Sequence, residues 1–198
     1  MAVKASVYEA WPAAGVSKTE LARRMGRSEG EGEGEGEMDQ DDVAVTALFQ
    51  RLGLVPDRVE HPPVHTVEEA RPHWSTLAGA HTKNLFLKDK DALFLVTLGA
   101  ETRVDMKALA PLLGTKRLSF ASAARLMQHL GTAPGAVSPL SLVKDEARAV
   151  RFAIERALWE APRVTCHPLR NTATVSLTAA ALRAVLADLG VEPILLDL

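Results

Sequence analysis

The chain has 198 residues, of which 47% are hydrophobic and 24% charged, an ordinary globular composition that allows a sizeable core. No apolar run reaches about 18 residues and the N-terminal residues show no signal-peptide pattern, so we expect neither a membrane span nor secretion. The single cysteine excludes an intrachain disulfide framework and predicts a reducing, cytoplasmic location.

The charges are divided unevenly along the chain. Residues 1–37 hold five Lys or Arg and seven Asp or Glu, so the remainder carries 18 of each and is neutral. A protein that binds a long duplex is usually basic, because phosphate contacts supply most of its non-specific affinity. We therefore expect any RNA contact to involve only a short end. Seven cations offer such a contact, or else are ordinary solvated surface charges: Lys83, Lys88, Lys90, Arg103, Lys107, Lys116 and Arg117.

The first 40 residues differ from the rest in composition. Residues 15–26 resemble the first helix and turn of a helix-turn-helix repressor, with Ser17 and Glu20 as a capping box, but no recognition helix follows. DNA binding is therefore not expected. Residues 28–37 alternate Glu and Gly after Ser28, which predicts an extended, self-repelling linker. We divide the chain into a flexible helix-turn-helix-like extension (1–27), an acidic linker (28–40) and a domain (41–198).

Helices and strands alternate irregularly through the domain. A helix should begin after Asp42 and end at Gly53, and a short helix from Thr66 should be disturbed by Pro72. Further helices are predicted near 105–113, 121–130 and 178–189. Strands are predicted near 84–88, 92–98, 116–120, 136–142, 149–155, 163–167, 172–176 and 193–197. Because no strict βαβ rhythm is present, we predict a single α+β domain whose mixed β-sheet is surrounded by helices.

A lysine and an amide stand at the start of two apolar strands, in the run His-Thr-Lys-Asn at 81–84. A buried ammonium at Lys83 needs an anionic or carbonyl partner to offset its desolvation. On the residues alone, Lys83 is equally a strand-edge lysine that discourages pairing with another sheet. Asn84 is then a residue that closes a turn.

A second motif is Gly-Thr-Ala-Pro-Gly at 131–135. Pro134 fixes φ near −65° and Gly135 can adopt positive φ, so residues 133–136 fit a type II turn. Exposed N–H groups in such a turn can stabilise a developing oxyanion. Pro-Gly turns are common, and the pattern by itself does not establish this role.

The third motif is Cys-His-Pro-Leu-Arg-Asn at 166–171. Neighbouring residues on a strand point to opposite faces, so Cys166 and His167 should not form a thiol–imidazole pair. His167 alone is either structural or a group that positions a substrate. His61 and His65 are separated by Pro-Pro-Val, and no His-Glu-x-x-His or Cys-x-x-Cys motif is present, so we expect no metal and no cofactor.

In this order and spacing, with the ending Gly-Val-Glu-Pro-Ile-Leu-Leu-Asp at 190–197, the three segments resemble the YbaK/prolyl-tRNA-synthetase-associated editing family. The resemblance covers residues 42–198 and is closest to the free-standing alanyl-tRNA(Pro) deacylases. It implies a hydrolase that cleaves alanine from mischarged tRNA(Pro). Two departures from the family concern the shape of the pocket, residues 71–74 and Ser141 where relatives often carry glycine.

The resemblance also implies residue roles. Lys83 would face the phosphate at the terminal adenosine of the tRNA, and His167 would position the ester or a water. Gly131 and Gly135 would belong to the catalytic loop around the ester. The implied substrate-binding residues are Thr82, Asn84, Thr132, Ala133, Pro134 and Arg117, the last either at the acceptor stem or in a surface salt bridge.

The expected partners are the acceptor end of tRNA(Pro) and, as a second protein, prolyl-tRNA synthetase, with no DNA and no membrane. Two other functions are compatible with the sequence. One is the same scaffold acting on another mischarged tRNA, such as cysteinyl-tRNA(Pro). The other is a non-catalytic RNA-binding or regulatory module. The sequence does not determine the oligomeric state.

Overall fold

The structure, a computed structural model, describes residues 42–64, 72–73 and 76–198. The predicted extension (1–27), the predicted linker (28–40) and the short helix beginning at Thr66 lie outside the described residues. None of the helices in the described ranges is long and apolar enough to cross a membrane.

The described residues combine helices with two sets of strands. The helices are α1 (Val43–Leu52), α2 (Met106–Leu112), α3 (Ala123–Leu130), a 3-10 helix (Pro139–Lys144), α4 (Arg156–Glu160) and α5 (Ala179–Asp188). The strands are β1 (Asp57–Glu60), β2 (Thr82–Lys88), β3 (Leu93–Gly99), β4 (Ser119–Phe120), β5 (Val150–Glu155), β6 (Arg163–Cys166), β7 (Ala173–Thr178) and β8 (Ile194–Leu196).

The larger sheet has five strands in the order β4-β2-β3-β5-β8. Strands β2 and β3 form an antiparallel hairpin in which Thr82 is opposite Gly99, whereas β3–β5 and β5–β8 are parallel pairs. The side chains of β3 are buried from Leu93 to Leu98, because both faces of this central strand are covered. The predicted α+β class with a mixed sheet is therefore confirmed.

A smaller antiparallel sheet has the order β1-β7-β6. It approaches the larger sheet at Ala80, whose N–H donates to Arg163 O at 2.9 Å and whose carbonyl accepts from Thr165 N–H at 3.0 Å. These two bonds place the segment that leads into β2 directly beside β6. Strands β6 and β7 were predicted from the sequence, but their separation into a second sheet was not.

Local signals define the helix ends well. The Asp42 carboxylate accepts from Ala44 N–H at 2.8 Å, and Gly53 ends α1 with φ +63°, as predicted. The bounds of α2, α3 and α5 agree with prediction to within two residues. Strand β1 and helix α4 were not predicted.

The predicted strand at 136–142 is wrong, because Pro139–Lys144 is a 3-10 helix. Pro139 has no N–H for a ladder and is well suited to the first turn of a helix. Ser138 caps the helix by accepting from Leu140 N–H at 3.2 Å, and the Ser138 N–H donates to Ser141 Oγ at 3.1 Å. The departure from the family at Ser141 therefore forms half of a buried capping box.

Candidate functional site

The three sequence motifs meet along strand β6. The Thr82 hydroxyl donates to Thr165 O at 2.8 Å, which ties the lysine-bearing start of β2 to β6. The Ser138 hydroxyl donates to His167 O at 2.6 Å, which ties the segment after the glycine loop to the residue that follows β6. The first of these bonds spans 83 residues in sequence and the second spans 29, and both reach strand β6 or the residue that follows it.

Lys83 lies half-buried on β2, on the opposite face from Thr82, since neighbours on a strand alternate. Its ammonium donates to the carbonyl oxygens of Ala100, at 3.2 Å, and Thr102. Burial lowers the pKa of this ammonium, and the carboxylates of Glu101 and Glu155 partly offset that effect. The charge of Lys83 is therefore held in a polar, partly buried setting and is not fully solvated.

An ammonium has three N–H donors, and two of those of Lys83 are committed to backbone carbonyls. In the part of the chain that the structure describes, only these two oxygens accept from Lys83 Nζ. Within those described ranges the third donor has no acceptor. This geometry is compatible with the predicted phosphate contact.

Asn84 is half-buried on β2 directly opposite Thr97 of β3. The Thr97 hydroxyl donates to Asn84 Oδ1 at 2.6 Å. This bond fixes the carboxamide orientation and replaces the predicted turn-closing alternative with a cross-strand pair. Among the described residues, the contact occupies Oδ1 of Asn84 and not its amide N–H₂.

The glycine loop forms the predicted turn. Gly135 has φ +93°, and the Ala136 N–H donates to Ala133 O at 3.2 Å. With Pro134 at the second position, these values define a type II turn and confirm the prediction. Pro134 has no N–H and the Ala136 N–H closes the turn, so the N–H of Gly135 is the candidate oxyanion donor.

Gly131 has a different part in the structure. It ends helix α3 with φ +59°, and its N–H donates to Met127 O at 3.0 Å. A Cβ at Gly131 would lie 3.0 Å from Lys144 Cγ, so the position favours glycine for conformation and space. The Gly131 N–H is therefore committed to the helix end. Thr132, which follows it, is buried at 3% exposure.

His167 is held as a neutral, oriented imidazole. Its Nδ1–H donates to Ala173 O at 2.8 Å, which leaves the Nε2 lone pair as the acceptor. Burial is the main reason that the pKa of His167 lies below its ordinary value, and the adjacent His61 lowers it further. Cys166 is buried, and burial raises the pKa of its thiol to about 12, so it is not a nucleophile near neutral pH.

Arg117 lies away from these groups. It precedes β4, which pairs with β2 only at Leu87 and Lys88, at the opposite end of β2 from Lys83. Lys83 and Lys88 are five residue steps apart along the strand, a distance of about 17 Å. Arg117 is exposed there and does not contribute to the site around Lys83.

A family model described as an aminoacyl-tRNA editing domain matches residues 61–185. The chain belongs to this family. The resemblance that the motifs indicated is thereby confirmed, and the converging segments lie in and around the matched range.

Several curated relatives are similar to this editing-domain protein. It is 38% identical over 160 residues to the prolyl-tRNA synthetase associated domain-containing protein 1 of Bos taurus, covering 76% of this chain and 93% of the relative. It is 35% identical over 137 residues to the prolyl-tRNA editing protein ProX of Acetoanaerobium sticklandii, covering 68% and 84%.

A solved structure described as a candidate trans-editing enzyme for prolyl-tRNA synthetase has a similar fold. It superposes with a TM-score of 0.60 at 19% identity, covering 78% of this chain and 96% of that one. At this identity the likeness shows the fold alone.

A pocket near His167 in this editing domain was not predicted from the sequence. His61 borders it and contacts the His167 ring edge-on, with ring centroids 6.1 Å apart. The Thr174 hydroxyl bonds His61 Nε2, and Pro62 O bonds His61 Nδ1, both at 2.9 Å. The lining residues are Val59, His61, His73, Leu77, His81, Thr165 and Thr174. The histidines are scattered in sequence, so no motif indicated that they meet.

This pocket has no metal-ligand set in the described ranges, where no three His, Cys, Asp or Glu residues are grouped to hold an ion. His61 was weighed in the sequence only as a metal ligand. The structure instead gives it hydrogen bonds on both ring nitrogens, which fix its ring against His167.

The lowered pKa of His167 predicts an acid-sensitive fold. Between the lowered folded pKa and the unfolded value of about 6.5, the unfolded state binds more protons, so stability falls as pH decreases through that window. The lowered pKa of His81, also caused by burial, acts in the same direction. Urea unfolding midpoints measured from pH 8 to pH 5 should therefore decrease.

The variant His167→Asn tests the assignment, because its amide N–H can still donate to Ala173 O but does not titrate. We expect a shallower pH dependence than in the wild type. If the urea unfolding midpoint depended on pH equally in the wild type and in His167→Asn, the His167 imidazole would not be the source of the acid sensitivity.

Proposed function

We propose that this protein is a trans-editing aminoacyl-tRNA deacylase that hydrolyses alanine mischarged on tRNA(Pro). The observation that carries the proposal is the junction along β6, where the type II turn at Gly135 is tied to His167 by the Ser138 hydroxyl. The segment that carries the Gly135 N–H and the residue that carries the imidazole are thus joined by one hydrogen bond. The family membership and the name of the relative ProX support the same reaction class.

In the proposed mechanism, water attacks the ester carbonyl that joins alanine to the terminal ribose, and the tetrahedral intermediate collapses with cleavage of the bond to the ribose oxygen. The proton that the water loses ends on that oxygen, so the products are alanine and a free ribose hydroxyl. The Gly135 N–H stabilises the oxyanion as a preorganised dipole. His167 Nε2 accepts a hydrogen bond from the attacking water or from a ribose hydroxyl and so orients it. Lys83 binds the phosphate at the terminal adenosine, and a compact ammonium suits such a point contact.

The biological need for such a reaction follows from pocket energetics. A site built for proline cannot strongly reject alanine, because one or two missing methylenes change binding by only about 1–3 kcal/mol. A second, smaller site that hydrolyses the product corrects the error. We propose the cytoplasmic tRNA(Pro) pool as the substrate source and prolyl-tRNA synthetase as the enzyme whose errors are corrected.

The decisive experiment is a deacylation panel with tRNA(Pro) charged with alanine, cysteine, serine or proline. We expect fast release of alanine and retention of proline. Preferential release of cysteine would favour cysteinyl-tRNA(Pro) as the substrate, because the cysteine side chain is only slightly larger than that of alanine. Release of none of the four would contradict the deacylase proposal and favour a non-catalytic RNA-binding module.

The reaction should not require a metal. Dialysis against a chelator is expected to leave the deacylation rate unchanged, because the proposed steps use only a backbone N–H, an imidazole and an ammonium. The measurement compares rates before dialysis, after dialysis, and after zinc or magnesium is restored. A loss of rate that added zinc reverses would overturn the metal-free mechanism.

Arg117 would serve binding in this scheme, at a distance from the ester. Its place beyond the Lys88 end of β2 suits a contact with the acceptor stem when the terminal adenosine lies at Lys83. Such a phosphate contact would make substrate binding salt-dependent. It would affect KM more than turnover.

A further inference from the structure

The carbonyl oxygens that hold Lys83 belong to one tight turn, residues 99–102. The Thr102 N–H closes it by donating to Gly99 O at 3.0 Å. The turn presents Ala100 O and Thr102 O to Lys83 Nζ. The direction of the ammonium therefore depends on how this turn is held.

One carboxylate stabilises the turn through hydrogen bonds. Glu155 Oε2 accepts from Gly99 N–H at 2.8 Å and from the Thr102 hydroxyl at 2.7 Å. A single oxygen thus bonds both ends of the turn. Charge-assisted hydrogen bonds of this kind are the stronger ones in proteins.

The absence of a side chain at Gly99 leaves room for the hydrogen bonds between Glu155 and the turn. A Cβ at Gly99 would lie 2.9 Å from Thr102 Oγ1 and 3.4 Å from Glu155 Oε2. A side chain at Gly99 would therefore separate the carboxylate from the hydroxyl that it binds.

The Glu155 side chain reaches the turn from the end of strand β5 and does not cap the helix that follows. Glu155 is the last residue of β5, next to Ile154, which pairs with Thr97 of β3. It also stands at the N-cap position of α4, yet its side chain makes no capping hydrogen bond there. The side chain is directed at the turn instead.

We propose that Glu155 is a positioning residue for Lys83: it fixes the turn at residues 99–102, whose carbonyls direct the ammonium at a phosphate of the substrate. This inference rests on the proposed function for its substrate. It assigns Glu155 no contact with the tRNA and no part in the chemical step.

Two kinds of contribution must be separated in the test, geometry and charge. Glu155 and Glu101 both carry negative charge near Lys83, and both raise the pKa of its ammonium against the effect of burial. Only Glu155 accepts hydrogen bonds from the turn's Gly99 and Thr102 donors. Glu101→Gln is therefore a matched control that removes an equal charge and leaves these two bonds in place.

The experiment measures deacylation of alanyl-tRNA(Pro) by wild type, Glu155→Ala, Glu155→Gln and Glu101→Gln, each with and without Lys83→Ala. Glu155→Ala should lower kcat/KM about tenfold or more, the usual effect of losing hydrogen bonds to a charged group. Glu155→Gln retains an oxygen acceptor and should stay within about threefold of wild type. Glu101→Gln should also stay near wild type.

Two features distinguish positioning from general stability. Glu155→Ala should change KM and kcat in the same proportions as Lys83→Ala. In the Lys83→Ala background it should have no further effect, because the residue through which it acts is gone. An equal loss with and without Lys83 would overturn the proposal, as would wild-type kinetics in Glu155→Ala.

A readout without substrate separates this inference from the deacylase proposal. Nuclear magnetic resonance of the Lys83 ¹⁵Nζ group in the full chain should show greater side-chain mobility in Glu155→Ala than in Glu155→Gln. Thr102→Val, which removes one of the two donors, is the further variant if Glu155→Ala does not fold. Unchanged Lys83 mobility in Glu155→Ala, or in Thr102→Val if that variant replaces it, would contradict the inference whether or not the protein deacylates tRNA.

Discussion

The variant Gly135→Val is expected to lower turnover of alanyl-tRNA(Pro) by about 10²–10³-fold, the usual effect of losing one oxyanion donor. Gly135 has φ +93°, a region that a β-branched residue avoids. Valine should therefore drive the turn toward type I, in which the peptide between residues 134 and 135 is reversed. The N–H of residue 135 would then point away from the ester.

Binding should be less affected, because Lys83 is held by a different turn. The expected result is a large decrease in kcat with a modest change in KM, measured under saturating and subsaturating substrate. Gly135→Asn, which tolerates positive φ better, should retain more turnover than Gly135→Val. Near-normal turnover in a folded Gly135→Val protein would eliminate this loop as the oxyanion site.

A second glycine provides the control for backbone strain. Gly190 also has positive φ, +65°, and a Cβ there meets nothing within 4 Å. Gly190→Val should therefore lower the free energy of unfolding through the same backbone strain, while its turnover remains near that of wild type. If both variants lost turnover equally, general strain would explain the effect.

Lys83→Ala is expected to lower kcat/KM by about 10- to 100-fold, the range for a hydrogen bond that involves a charged group. A phosphate remote from the ester is bound alike in the ground state and the transition state, so the loss should appear mainly in KM. The melting temperature should change little. Burial already disfavours this ammonium, as its lowered pKa shows, and its removal relieves that cost.

Lys88→Ala is the matched control, since Lys88 lies on the same strand at the end remote from the site. It should leave the melting temperature and kcat near those of the wild type and should raise KM less than Lys83→Ala does, because only a contact with the acceptor stem is proposed at that end of β2. Steady-state rates at several substrate concentrations, with thermal melts of each variant, make the comparison. Wild-type turnover in Lys83→Ala would refute the phosphate contact.

Some of the site could be predicted because its determinants are local. The turn at Gly135 follows from two adjacent residues, one that fixes φ and one that permits positive φ. The cap at Asp42 and the end of α1 at Gly53 follow from similar short-range preferences. The long apolar strands β2 and β3 follow from the composition of their own residues.

The errors occurred where local patterns were ambiguous. Residues 136–142 are apolar enough for a buried strand, but Pro139 and the hydroxyls of Ser138 and Ser141 stabilise a 3-10 helix. A short apolar run does not distinguish strand from helix by periodicity alone. Helix α4 has five residues and no side-chain cap, so its sequence carried little signal.

The sequence by itself determined the editing family, the α+β class and the three motifs, because each depends on residues within a few positions of one another. Only the tertiary structure decided what those motifs contact. The partners of Lys83 are carbonyls in a turn at residues 99–102, and the carboxylate beneath that turn comes from Glu155, more than 50 residues further along the chain. Such contacts depend on how strands pair across the sheet, and strand pairing is a long-range property that no local pattern specifies.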